Sequence, residues 1–197
     1  MVLDAPPLTA TVRIGRQAVA VDLPAREPAD DRRVGWRAWN PRTARERLHY
    51  RLWDAIRALP ATDTKAAMAQ LQDVFGPPVG EQPRAMNADQ LRTLASTTPF
   101  TIGGHTATHA DLTSLDLETA LAEIRAGRDA IADVLETVPA GFAYPYGRLG
   151  AETPVLVKDA GFAWACATEN RPVSRRDSQF ALPRIAARDV GDIAWLC

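Results

Sequence analysis

The chain is poor in the residues that announce a function. It has two cysteines, three histidines and 7% aromatics in 197 residues. Cys166 and Cys197 are too few and too awkwardly placed for a disulfide framework, since one falls in an expected core strand and the other is the last residue. Charge of either sign is not in excess, with 23 Lys+Arg against 24 Asp+Glu and a net charge of -1. Nothing therefore points to a phosphate backbone, and a nucleic-acid partner is not expected. Long apolar runs are missing too, so no membrane span is expected. Met1 to Pro7 has neither the basic start nor the apolar stretch of a secretory signal, which leaves the cytoplasm as the default expectation. The remaining composition, 46% hydrophobic and 24% charged, is that of a globular chain with material for a core.

Alternating apolar residues mark the first stretch. Val12 and Ile14, then Val19, Val21 and Leu23, flank Gly15-Arg16 with a period of two, which predicts a hairpin. Leu48, Leu52, Trp53, Ile56 and Leu59 recur at helical spacing behind an Asn40-Pro41 start. A second helix is expected over Thr64 to Phe75. Arg42, Arg45, Arg47 and Arg51 read as a solvated helix face, and His49 as a surface or packing residue. The breakers Gly76-Pro77-Pro78-Val79-Gly80 then suggest a boundary, with residues 1–80 forming a hairpin-and-helices segment and residues 81–197 a second one.

Past that point helices alternate with short strands. Asn87 is placed to cap a helix carrying Leu91 and Leu94, and Phe100 to Gly103 reads as a short buried strand. Asp116 is placed to cap a long helix with Leu117, Leu121, Ile124, Ile131 and Leu135 on one face. Gly141 to Tyr144 is the next strand, Glu152 to Ala160 the next helix, and Phe162 to Ala167 and Phe180 to Ile185 further strands. This is an α/β series of the kind that builds a parallel sheet or barrel.

Two motifs fall where such strands end, the place where functional groups gather in these folds. His105 and His109 stand four residues apart after the first strand, so their rings can face one ion, as neutral imidazoles do in zinc sites. An isolated pair at this spacing is more often a plain turn than a metal site. Tyr144-Pro145-Tyr146-Gly147 follows the next strand and, taken alone, is a rigid turn. Trp36, Trp39, Trp53, Trp164 and Trp195 are all expected in the core, with Trp36 and Trp39 the best suited of them to line a groove because their surroundings are polar.

Taken in order, Gly104-His105-Thr106-Ala107-Thr108-His109, then Phe142-Ala143-Tyr144-Pro145-Tyr146-Gly147, then Leu182-Pro183-Arg184-Ile185 resemble the polysaccharide deacetylase (NodB-type, carbohydrate esterase family 4) pattern over roughly Met86 to Asp189. The resemblance implies a partial NodB-type (β/α) barrel with a hairpin-plus-helix insertion. It implies a divalent metal, zinc above all, held by His105 and His109, and an N-acetylated carbohydrate polymer or oligosaccharide as substrate. Tyr146 matches the residue whose backbone N–H stabilises the oxyanion of amide hydrolysis, a step a Lewis-acidic metal also favours.

The sequence also departs from that pattern. The family's Thr-Phe-Asp-Asp-Gly strand, source of the general base and the aspartate ligand, is not found in these residues, and neither is its late Leu-x-His acid. Asp4 resembles an insertion residue rather than a ligand. Ala143 stands where many members carry an arginine that steadies the base; Arg184 either replaces it or is a strand-end arginine that pairs with Asp177 or Asp189. A deacetylase-like protein, incomplete or inactive as given, is the expectation. The alternatives are a non-catalytic carbohydrate-binding or scaffold protein on the same fold, and an interaction module built on the helices between Arg42 and Phe75. A zinc peptidase is disfavoured because no His-Glu-x-x-His is present.

Overall fold

A computed structural model of the chain describes residues 2–26, 41–77 and 84–185. Asn40, Trp36, Trp39, Asp189, Trp195 and Cys197 lie outside them. Two compact units separate at Ala85 and Met86.

In the first unit, β1 (Leu8–Ile14) and β2 (Gln17–Leu23) form an antiparallel hairpin in which Ile14 faces Gln17 across the Gly15-Arg16 turn. The period of two sends Val12, Ile14, Val19, Val21 and Leu23 to one buried face. Two helices cover it. Helix α1 (Ala44–Arg57) contributes Leu48 and Leu52 and packs on β2, while α2 (Ala61–Phe75) contributes Ala67, Leu71 and Phe75 and packs on β1. The start of α1 differs from the Asn40-Pro41 expectation. Its cap is Thr43, whose hydroxyl accepts from the Glu46 N–H while the Glu46 carboxylate accepts from the Thr43 N–H, a reciprocal capping box.

The arginine reading also changes here. Arg45 is 0% exposed, and its guanidinium donates to the carbonyls of Leu3, Ala5 and Pro24 at 3.2, 2.8 and 2.6 Å. A planar fork with five donors can gather several carbonyls that a point charge cannot. Arg45 therefore ties the start of the chain and the end of β2 to α1. Arg47 and Arg51 are exposed as expected. Trp53 is at the surface rather than in the core, with Arg57 over its ring at 5.4 Å.

The second unit is built around parallel strands. Strand β3 (Gly141–Ala143) pairs with β4 (Trp164–Cys166), with Phe142 opposite Ala165. Gly104 bridges Phe142 on one side, and Leu182 bridges Cys166 on the other. The expected strands Phe100 to Gly103 and Phe180 to Ile185 are thus reduced to single bridges, and Phe100 is 57% exposed rather than buried. Among the described residues these strands form an open ladder and no closed barrel. The fold is mixed helix and strand.

Helix α3 (Ala88–Ala95) starts at Asn87 with a second capping box, through Gln90, and packs on α4 (Leu117–Leu135), which is capped by Asp116. The buried stripe of α4 is Ala120, Ile124 and Gly127; Leu117 points to solvent. Helix α5 (Thr153–Asp159) packs on α4 and hands the chain to β4. The core gathers Ile124, Phe142, Tyr144, Val157, Phe162 and Ala165. Gly104 is needed at its edge, because a Cβ there would lie 2.5 Å from the Phe162 ring. Trp164 is not core: it is 38% exposed, with its ring against Gly141.

Candidate active site

Parallel strands end at one edge, and the loops after Gly104 and after β3 both leave from it. The first carries the histidines. It is not a helical turn: residues 105–110 are irregular, and both Thr106 (φ 63) and His109 (φ 60) adopt the left-handed conformation. That conformation is uncommon for residues with a Cβ and requires support from the surroundings. The result is nonetheless the expected juxtaposition, with the His105 and His109 rings 4.7 Å apart, edge to face.

The second loop brings Tyr146. Pro145–Gly147 forms a short 3₁₀ turn in which Tyr146 sits at φ 59 and Gly147 at φ 67. Glycine is required at 147, since a Cβ would fall 1.8 Å from the Thr168 hydroxyl. The Tyr146 ring meets His109 at 4.6 Å, so the three rings form one cluster. Beneath it, Tyr144 is fully buried and its hydroxyl donates to the Phe180 carbonyl at 2.7 Å. Burial pushes that phenol well above its ordinary range, so it serves as a neutral strut.

Electrostatics favour ligation by the pair. Burial, and then the neighbouring His105, hold His109 below the usual imidazole range, which keeps a lone pair available near neutral pH. His105 Nδ1 lies 2.6 Å from the Ala143 carbonyl. A carbonyl can only accept, so Nδ1 carries the proton and Nε2 is the nitrogen left to face a ligand, the orientation that a carbonyl partner fixes in metal-ligating histidines. Thr106 Oγ1 is buried with no hydrogen-bond partner among the described residues. These features suit two ligands of a divalent cation. Among the described residues, no third His, Cys, Asp or Glu completes a metal-binding group.

Arg184 lies beyond the two central strands. It follows Leu182 on the far flank of the ladder, and its Nε donates to the Ala167 carbonyl at 2.7 Å while its N–H donates to the Glu169 carbonyl. Asp177 is bound by Arg171, not by Arg184. Asp4 pairs with Arg26 in the first unit.

A family model for polysaccharide deacetylases matches residues 53–165, more than half of the chain. The chain belongs to the polysaccharide deacetylase family. No curated protein sequence matches it. Among solved structures, a deacetylase of Streptococcus pyogenes in complex with acetate is 20% identical with a TM-score of 0.48, over 51% of this chain and 44% of that one. A polysaccharide deacetylase of Bacillus cereus is 17% identical with a TM-score of 0.46, over 62% and 43%. A de-N-acetylase of Aggregatibacter actinomycetemcomitans is 13% identical with a TM-score of 0.43, over 68% and 74%. The chain spans less than half the length of the first two.

Around the motif of this deacetylase-family chain stand three residues that the sequence reading did not single out. Asp111, two residues past His109, has a side chain only 3% exposed and pairs with Arg148 at 3.1 Å, linking the two loops. Thr113 also donates to it from its N–H and hydroxyl, so this nearby carboxylate is engaged as a cap. Glu123 and Gly127 on α4 touch the histidine loop itself. A glycine inside a helix, at a cost of about 1 kcal/mol relative to alanine, was the available signal for them.

Proposed function

We propose that the chain is part of a metal-dependent deacetylase that hydrolyses N-acetyl groups on amino-sugar polymers, and that its open ladder is a portion of a NodB-type (β/α) barrel. The observation that carries this reading is the cluster of His105, His109 and Tyr146 at the carboxyl edge of the parallel strands, with His105 Nδ1 anchored on a carbonyl. His105 and His109 are the residues that would hold the cation, zinc by preference. Such a cation supplies Lewis acidity to an acetamide carbonyl.

The chain's own residues define the rest of the site. Tyr146, held at φ 59 by the Pro145–Gly147 turn, is the residue whose backbone N–H stabilises the oxyanion, and its ring walls the cluster beside His109. The Ala143 carbonyl orients His105. Arg184, with Nε fixed on the Ala167 carbonyl, is proposed to steady an aspartate base through its terminal guanidinium nitrogens. Neither a Thr-Phe-Asp-Asp-Gly segment nor a Leu-x-His is present in the sequence. Base and acid are each worth about 10² to 10⁴ in rate, so the chain by itself is proposed to be a poor catalyst.

The test is acetate release from chitin oligomers with added zinc or cobalt. The reading predicts turnover that is slow and abolished by His105→Ala. Robust turnover that survives His105→Ala contradicts both the metal assignment and the low intrinsic activity.

A further inference from the structure

The histidine loop is irregular and carries two residues in the left-handed conformation, so something outside it must fix its shape. The contacts come from one face of α4. The Glu123 carboxylate accepts from the Ala107 N–H at 3.2 Å and the Thr108 N–H at 3.0 Å through Oε2, and from the Thr108 hydroxyl at 3.0 Å through Oε1. The Ala107 N–H also lies 3.1 Å from the Glu123 main-chain carbonyl. All of these contacts fall between His105 and His109.

Gly127 lies one turn further along the same helix face. A Cβ there would stand 2.5 Å from the Thr106 carbonyl carbon and oxygen, so α4 reaches the loop backbone only because residue 127 has no side chain. Close approach at Gly127 and charge-assisted hydrogen bonds at Glu123 act on adjacent peptide groups of one loop. Hydrogen bonds to a carboxylate are stronger than neutral ones and hold their donors in direction as well as distance.

We propose that Glu123 is the positioning residue of the histidine pair: by binding the peptide N–H groups of Ala107 and Thr108 it holds the intervening loop in the shape that sets the two rings face to edge. Glu123 does not reach the reacting atoms and acts only through His105 and His109. The inference rests on the metal-site reading for its consequence, but the loop geometry it explains does not depend on that reading. A glutamine at 123 keeps an acceptor oxygen for the two N–H groups and an amide that the Thr108 hydroxyl can meet. An alanine keeps only the main-chain carbonyl that Ala107 meets.

The experiment compares the full chain with Glu123→Ala and Glu123→Gln in three measurements. These are amide hydrogen exchange at Ala107 and Thr108, the ring-to-ring NOE between His105 and His109, and cobalt(II) affinity followed by its visible absorption. Near-UV circular dichroism checks that the fold is retained. Glu123→Ala is expected to lower protection at Thr108 about tenfold or more and at Ala107, which keeps the main-chain carbonyl, by less, to weaken the ring NOE, and to reduce cobalt affinity about 10- to 100-fold. Glu123→Gln is expected to restore most of each.

Protection and affinity both unchanged in Glu123→Ala overturn the proposal. So does lost protection with unchanged affinity, which would make Glu123 merely structural, and so does lost affinity with unchanged protection. If the unaltered chain binds no cobalt, the metal reading fails instead. The positioning role is then decided by protection and the ring NOE alone: their loss in Glu123→Ala sustains it and their persistence overturns it.

Discussion

Asp111 and Arg148 form an ion pair at 3.1 Å that joins the loop after His109 to the loop after Tyr146. The carboxylate is buried and the arginine about half exposed, so the two partners are not equivalent. Removing Arg148 costs little, because an exposed guanidinium is screened and Thr113 still serves the carboxylate. Arg148→Ala is expected to lower stability by about 1 kcal/mol or less. Removing Asp111 strips the cap from Leu112–Ser114 and detaches both loops at once. Asp111→Ala is expected to cost about 1–3 kcal/mol and to weaken the NOE between the His109 and Tyr146 rings, measured by denaturant melts and NMR.

A larger effect is expected at Arg45, which is buried among main-chain carbonyls. Arg45→Ala leaves those carbonyls without their donor, and about 3 kcal/mol or more should be lost from the unit spanning Met1–Ala85. Arg45→Lys should recover part of this, because an ammonium can satisfy some of the carbonyls but lacks the planar fork. Limited proteolysis near residues 2–5 reads the release of that segment. Equal stability of the alanine variant and the unaltered chain would show the carbonyls to be served by water instead.

The same unit should be sensitive to acid. Burial pushes the His49 imidazole below its ordinary range, so the unfolded chain takes up a proton more readily than the folded one. The associated stability is present above about pH 6.5 and is lost as pH falls through that value toward the folded pKa. Glu46 adds a second loss at lower pH. Burial raises its pKa, but hydrogen bonds from the Arg42 side chain and from the Arg42 and Thr43 N–H groups outweigh that and hold it below the usual carboxylate range. Its contribution is present above about pH 4.3 and disappears below. Melting temperatures at about pH 7 and about pH 5.5 should differ, and His49→Gln should shrink the difference; an unchanged difference rejects the role given to His49.

Periodicity made much of this architecture legible. Val12, Ile14, Val19, Val21 and Leu23 alternate because one face of the hairpin is buried, and Asn87 and Asp116 cap because their side chains reach the N–H groups three residues on. The motif order named the family. What it missed depends on tertiary contact. Thr43 rather than Asn40-Pro41 starts α1 because Glu46 reciprocates its cap. Arg45 looks like any exposed arginine until main-chain carbonyls converge on it, and Leu117 sits on the apolar stripe of α4 but beyond the reach of the core. The strands expected at Phe100 and Phe180 shrink to single bridges because each has one partner and little pairing length. In the site, His105, His109 and Tyr146 were visible as letters, whereas Glu123 and Gly127 act through the loop backbone, which leaves no spacing pattern.

His105 and His109 are proposed to act together on one divalent cation. Isothermal titration of the full chain with zinc, beside His105→Ala and His109→Ala, tests it most directly. One weak site per chain is expected, lost in either variant, with the fold unchanged by circular dichroism. Zinc bound with the same stoichiometry and affinity by both alanine variants would contradict it.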